Sequence, residues 1–160
     1  MDCSIDRHWK VVADALSQFD VLPEWNKTLS EIRTLTTLPG GVEINYQKSA
    51  ASIVGLISCR DFVVASKRVC DQTLNDGKGM YLDLLQSVPW ASCPETKGAV
   101  RGEHRLMAIR VTGVDENHCE YCLLNSTDPK GWIPTAVVEK AFAGALLEQL
   151  DFLMAKFPPK

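Results

Sequence analysis

"TDPKGWIPTAVVEKAF", residues 127–142, joins two kinds of sequence. A strand-like stretch, "HCEYCLLNS", runs up to it, and a long apolar-striped helix follows it. Trp132 and Ile133 stand in a Gly-containing turn where that helix begins, and such bulk in a turn needs something to cover. The helix is expected over residues 134–157, with Pro134 at a favourable first position. At about 100° per residue, its apolar side spans about half the circumference. Val138, Phe142, Ala145, Leu146 and Leu153 fall on that side, Lys140 and Asp151 fall opposite, and Glu148 lies on the flank. Gln149, near the middle of the apolar arc, is the odd placement.

Before this helix the chain reads as strands. "SEIRTLTTL" (30–38) is rich in β-branched residues and closes at the turn signal "PGG". "VEINYQKS" (42–49) alternates, with Val42, Ile44 and Tyr46 against Glu43, Asn45 and Gln47. "RDFVVASKRVC" (60–70) is a strand and "LNDGKG" (74–79) a hairpin turn. In "MYLDLLQSV" (80–88), Met80, Leu82 and Leu84 form the uniformly apolar set and are expected to point inward. Residues 97–114 are too long for one flat strand and predict a bend or bulge near Arg105–Leu106. The small apolar stretch "AASIVGLISC" (50–59) reads as a loop. At the N-terminus, Ile5, Trp9, Val12, Leu16 and Phe19 recur at steps of 4, 3, 4 and 3, the spacing of one helix face. Ser4 is its expected N-cap and Pro23 its end.

The expected class is therefore α+β: a helix, about six antiparallel strands in hairpin order, and a long C-terminal helix lying against one sheet face. If the sheet curls around that helix, the space left between them is an apolar cavity with Trp132 and Ile133 at its rim.

Bulk properties narrow the functions. The 160 residues suggest one domain, 1–160. A net charge of −3 and the lack of a basic stripe argue against nucleic acid. No run approaches the ~20 apolar residues of a membrane span. "MDCSIDRHWKVV" lacks the pattern of a secretory signal, which points to the cytoplasm, a reducing compartment for the six cysteines. Cys119-x-x-Cys122 would face opposite sides of a strand, so no metal site is expected. No cofactor is implied.

Four stretches carry a resemblance: "EWN" (24–26), "RDFV" (60–63), "PETKGAVRGEH" (94–104) and "DPKGWIP" (128–134). In this order and spacing, over residues 5–155, the chain resembles the START domain, the lipid-transfer domain related to the steroidogenic acute regulatory protein. The resemblance implies a helix-grip fold, a curved sheet wrapping the C-terminal helix around one lipid, and no catalysis. It places Asn26, Gln47, Ser66, Leu82, Gly102, His104 and Ile109 at cavity-facing positions of sterol-carrying members. Strand alternation adds Phe62 and Val64, Met80 and Leu84, and Val100; the helix adds Val138, Phe142, Leu146 and Gln149. At Gln47 two arguments conflict, because the apolar set of its strand is the other one. Either a bulge intervenes or this strand has a wet inner face.

Two departures matter. Sterol-carrying relatives bury an acidic–arginine pair at the positions of Gln47 and Ser66, and here both charges are absent together. That points to a neutral polar end, with sterol as the leading ligand. A fatty acid or phospholipid would need Arg60 or Arg101 as its cation. The resemblance also implies an N-terminal helix and three strands ahead of the region beginning near Ile5. Without them the strand "HCEYCLLNS" is expected to be an exposed edge. Trp132 and Ile133 are expected to help seal the mouth, beside Arg60, with loop 49–57, including Ile53 and Val54, as a movable flap against a membrane. The expected partners are one lipid (sterol, phospholipid or fatty acid) and a transient membrane surface, with the protein a monomer. A ligand-free interaction module and, further off, a hydrolase are the alternatives. For the latter, His8, His104 and His118 lie on different elements with no nucleophile–base–orienter set.

Overall fold

The computed structural model describes residues 1–50 and 58–159. Strand β1 (Asp2–Ile5) leads into helices α1 (Trp9–Ser17) and α2 (Leu22–Trp25). Strands β2 (Leu29–Leu38), β3 (Val42–Ser49), β4 (Arg60–Asp71), β5 (Met80–Ser87), β6 (Val100–Arg101), β7 (Glu103–Gly113) and β8 (Cys119–Asp128) follow, and helix α3 (Thr135–Lys156) closes the chain. All strands form one eight-stranded sheet in the order β1-β8-β7-β5-β4-β3-β2, with the short β6 added in parallel to β4. The α+β helix-grip class expected from the sequence holds, with two short strands beyond the six read there. Among the described residues no helix is long and apolar enough to cross a membrane.

The N-terminal periodicity is split. Trp9, Val12 and Leu16 do form one buried helical face, but Ile5 belongs to β1. Helix α1 is capped by His8, whose Nδ1 accepts from the Lys10 amide at 3.3 Å, rather than by Ser4. Ile5 mimics the helical spacing because it enters the same core as Trp9 from the strand side. The strand also corrects the expectation of a bare edge. Asp2–Ile5 pairs antiparallel with Cys119–Cys122, and the Met1 amine and carbonyl bond to Leu123 at 2.9 and 2.8 Å. The edge of β8 is thus covered over residues 119–123.

The main core lies between the concave sheet face, α1 and the end of α3: Ile5, Trp9, Val12, Tyr81, Val111, Tyr121, Leu153 and Phe157 are its large members. Burying Leu153 and Phe157 contributes roughly 1.5–3 kcal/mol each, so α3 is anchored at its C-terminal end. It stops at Phe157, where Pro158 and Pro159 cannot extend it. Its apolar residues ring the helix rather than forming a half-circle stripe, and Leu147 is 62 % exposed.

A second core sits on the opposite, convex face. Ile44, Tyr46 and Val63 pack there with Cys93, under the loop carrying Trp90. This settles the conflict at Gln47. Strand β3 pairs with β4 without a register shift, Tyr46 opposite Val63 and Gln47 opposite Phe62. Both faces of β3 are buried, so its apolar set serves the outer core while Asn45 and Gln47 turn inward. No bulge is needed.

In β5 the face assignment is reversed. Ladder partners share a face, and Leu85 lies opposite Ser66, Asp83 opposite Arg68, and Tyr81 opposite Cys70. Tyr81, Asp83 and Leu85 are buried on the concave side, whereas Met80, Leu82 and Leu84 point to the convex face, Leu84 being 42 % exposed. The physical reason is that an antiparallel sheet tolerates leucines on an open face, while the inward carboxyl of Asp83 is satisfied by the Ser66 hydroxyl at 2.6 Å. The expected bend in residues 97–114 is present twice, as a break between β6 and β7 and as a register shift between His104 and Leu106.

Candidate functional site

Three of the four family-like stretches meet at one end of the sheet. Arg60, buried at the start of β4, donates from Nε to the Pro129 carbonyl at 3.0 Å and from Nη2 to the Lys130 carbonyl at 3.1 Å. Its Nη1 donates to the Ser58 carbonyl and hydroxyl at 2.5 and 2.8 Å. The guanidinium therefore ties the turn ahead of α3, where Lys130 and Gly131 both have positive φ, to the first residue of β4. Next to it, Asp61 is fully buried on the other strand face. Its carboxylate accepts from Arg101 Nε at 2.8 Å and Nη2 at 3.1 Å, and from the Thr96 hydroxyl at 3.1 Å. Burial pushes the Asp61 carboxyl up, but the bonds and charge of Arg101 outweigh this and hold it below the ordinary carboxylate range.

Phe62 turns inward again and stacks on His104, with ring centroids 4.0 Å apart. Gly102 makes this possible, because a Cβ there would overlap the Phe62 ring. Gly102→Ala is expected to push Phe62 off His104 at a cost of about 1–3 kcal/mol, read as a lower midpoint in urea with unchanged slope.

Inside this end lies a cavity of about 370 Å³, the size range of sites for one small guest. Its floor is the sheet, with Gln47, Phe62, His104, Met107, Asn125 and Thr127; its roof is the N-terminal half of α3, with Phe142, Ala145, Leu146 and Gln149. Toward its C-terminal end α3 is packed onto the main core through Leu146, Leu153 and Phe157, and Gln149 Nε2 donates to the Tyr121 hydroxyl at 3.3 Å. Lys27, Thr28, Ser49, Ser58, Arg60 and Pro129 stand around it.

The residues expected from sequence divide accordingly. Gln47, Phe62, His104, Phe142, Leu146, Gln149 and Arg60 line the cavity. Val64 lies beneath Phe62 in the packed floor, and Ile109 packs against the main core. Ser66 is engaged with Asp83. Asn26 closes α2, its Oδ1 accepting from the Thr28 amide and hydroxyl at 3.2 and 2.6 Å. Val100 and Gly102 border a shallow cleft on the outside of β4. Val138 is half-buried on α3 outside the lining. Met80, Leu82 and Leu84 are on the wrong face, as described above. Ile53 and Val54 lie outside the described residues. Trp132 is 95 % exposed and Ile133 half-buried, and neither lines the cavity, so Trp132 does not plug the mouth. The small turn is held shut by Arg60, leaving the indole outside.

Met107, Asn125 and Thr127 were not foreseen. Met107 shares a face with His104 only because the bulge between them shifts the alternation by one; the expected bulge was the available signal. Outside the cavity lining, charged groups lie further along the same sheet face. Beyond Gln47 on the same face come Asn45, fully buried with both amide atoms unpartnered among the described residues, and then Glu43, paired with Arg68. Asp83 lies opposite Arg68. Burial raises the Asp83 carboxyl to about 6 against the opposing effects of Ser66 and Arg68. Of these charged groups only Asp83 is buried; the Glu43 and Arg68 side chains are about a quarter exposed.

Known proteins give the same picture. The chain is 27% identical over 146 residues to the steroidogenic acute regulatory protein of Xenopus laevis, covering 89% of this chain and 47% of that one. It is 24% identical over 157 residues to the mouse mitochondrial steroidogenic acute regulatory protein, covering 96% and 51%. The chain therefore spans about half the length of these curated relatives. Human StAR-related lipid transfer protein 5 superposes with a TM-score of 0.87 at 17% identity, over 98% of this chain and 73% of that one. A START domain family model matches residues 3–154, and the chain belongs to that family.

Proposed function

We propose that this protein binds one lipid, sterol-like in character, in the cavity under the N-terminal half of α3 and carries it between membranes, without catalysis. The observation that supports this most is the lining: apolar side chains together with Gln47, His104, Asn125 and Thr127, which are uncharged or a histidine held neutral, while Lys27, Arg60, Lys140 and Glu148 are its charged members. The arginines that could have met an anionic headgroup are engaged elsewhere, Arg60 with backbone carbonyls and Arg101 with Asp61. Of the lining lysines, Lys27 donates to the Pro23 carbonyl at 3.1 Å and Lys140 is solvent-exposed, which together favours a sterol over a fatty acid or phospholipid. No carboxylate is bonded to His104 among the described residues, which disfavours a hydrolase.

The exposed indole of Trp132, beside the clasped turn, suits a membrane interface, where aromatic side chains rest at headgroup depth. The protein would work from the cytoplasm as a monomer. The test is transfer of a fluorescent sterol between two populations of neutral phosphatidylcholine vesicles. Transfer saturating at one sterol per chain is expected, slowed about tenfold by Trp132→Ala with equilibrium binding unchanged. A folded monomer that takes up no sterol, phospholipid or fatty acid would overturn the proposal in favour of a ligand-free interaction module.

A further inference from the structure

His104 is the one titratable ring in the cavity lining, and its surroundings fix which nitrogen carries hydrogen. Its Nδ1 lies 2.5 Å from the Thr127 hydroxyl oxygen. That hydroxyl has a single hydrogen, which it donates to the Asn125 side-chain carbonyl. With Asn125 Oδ1 as its acceptor, Thr127 accepts from the imidazole, which puts the hydrogen on Nδ1. Burial with no compensating charge lowers the His104 pKa to about 4, so the second nitrogen stays unprotonated at neutral pH. Nε2 is then a bare lone pair with no protein donor among the described residues, on a ring whose one face is stacked on Phe62.

We infer that His104 Nε2 is the recognition point for a hydrogen-bond donor on the ligand, making the cavity selective for lipid alcohols with a free hydroxyl over the ethers, esters and ketones of the same skeleton. This rests on the lipid-binding reading and narrows it. Gln47 supports the assignment from the neighbouring strand. It sits opposite Phe62 in the ladder, lines the cavity, and its amide has no hydrogen-bond partner among the described residues. Gln47 and His104 thus line the same cavity, one offering an amide and the other an acceptor nitrogen. A hydroxyl can donate to Nε2, whereas an ether or ketone can only accept. It would leave Nε2 desolvated and unpaired, a loss worth about tenfold or more in affinity.

Free hydroxyls occur on sterols and on diacylglycerols alike, so the experiment pairs each alcohol with its methyl ether. Equilibrium binding is measured for cholesterol against cholesteryl methyl ether, and for dioleoylglycerol against its methyl ether. The alcohol is expected to bind at least tenfold tighter within one pair, and that pair identifies the source. His104→Phe keeps the ring stack, removes the acceptor, and is expected to bring the ratio close to one. A two-bond ¹H–¹⁵N correlation spectrum of the ligand-free protein reads the tautomer independently and should show hydrogen on Nδ1. Equal binding of alcohol and ether, or hydrogen on Nε2, overturns the inference and leaves lipid binding standing. Binding of no probe at all overturns both.

Discussion

Replacing Asp61 by alanine is expected to destabilise the protein by about 3 kcal/mol, at the lower end of what breaking a buried ion pair costs. The carboxylate is fully buried and receives two guanidinium bonds from Arg101 and one hydroxyl bond from Thr96. Without it, Arg101 keeps only the Cys93 and Pro94 carbonyls, both at 3.2 Å, while its side chain remains largely enclosed. The damage should be local in origin. Asp61 also pairs with Arg101 in the short parallel ladder between β4 and β6, so its loss frees the segment that brings Gly102 under Phe62. The pH dependence has a definite sign. The folded-state pKa of Asp61 is depressed, so its contribution is present above the unfolded value and is lost as pH falls through the folded one. Urea melts of wild type and Asp61→Ala should therefore converge in strong acid and differ at pH 7. Equal midpoints at pH 7 would show that the pair contributes nothing.

Asp83→Asn should act in the opposite direction and raise stability at pH 7. Asp83 is 4 % exposed, and burial lifts its pKa from 3.8 to about 6. A displacement of about two pH units is worth roughly 2–3 kcal/mol at 1.36 kcal/mol per unit. For a raised pKa, the favourable contribution is complete below the unfolded value and disappears as pH climbs through the folded one. At neutral pH the wild-type fold thus holds an ionised carboxylate in a poorly solvated place. The amide can still accept the Ser66 hydroxyl bond without that charge. The expected gain is largest above pH 7 and vanishes below about pH 4, a pattern that thermal melts across that range would show. A gain unaffected by pH would point to packing rather than charge.

The elements that were legible in the sequence are those with long, clean patterns. Residues 42–49, which alternate, and 60–70, which read as a strand, became β3 and β4 nearly to the residue. The terminal helix was visible from the recurrence of apolar residues behind Pro134. Facing was harder. For β5, choosing the apolar set as inward failed because the convex face leaves Leu84 in the open while Tyr81 and Asp83 go inside, the latter bonded to Ser66 on β4. Such partners are distant in sequence and leave no local trace. The second core under Trp90 misled the reading of Gln47 in the same way, as it claims the apolar residues of β3 for the outer face. Ile5 imitated a helix position by entering the helix's own core from a strand. At the site, Gln47, Phe62, His104 and Gln149 were reachable from motif and period, whereas Asn125 and Thr127 matter through a hydrogen-bond chain that only three-dimensional proximity creates.

The central claim is that the space between the sheet and the unanchored half of α3 is the seat of a single lipid. Ala145 lines that space from the helix, and Ala145→Phe would fill it without touching the core at Leu153 and Phe157. The most direct measurement is native mass spectrometry of wild type and Ala145→Phe after incubation with cholesterol-containing vesicles. The account predicts one added sterol mass per wild-type chain and none on the variant, with both proteins equally folded by circular dichroism. A wild-type protein that stays empty, or a variant that loads as fully as the wild type, would contradict it.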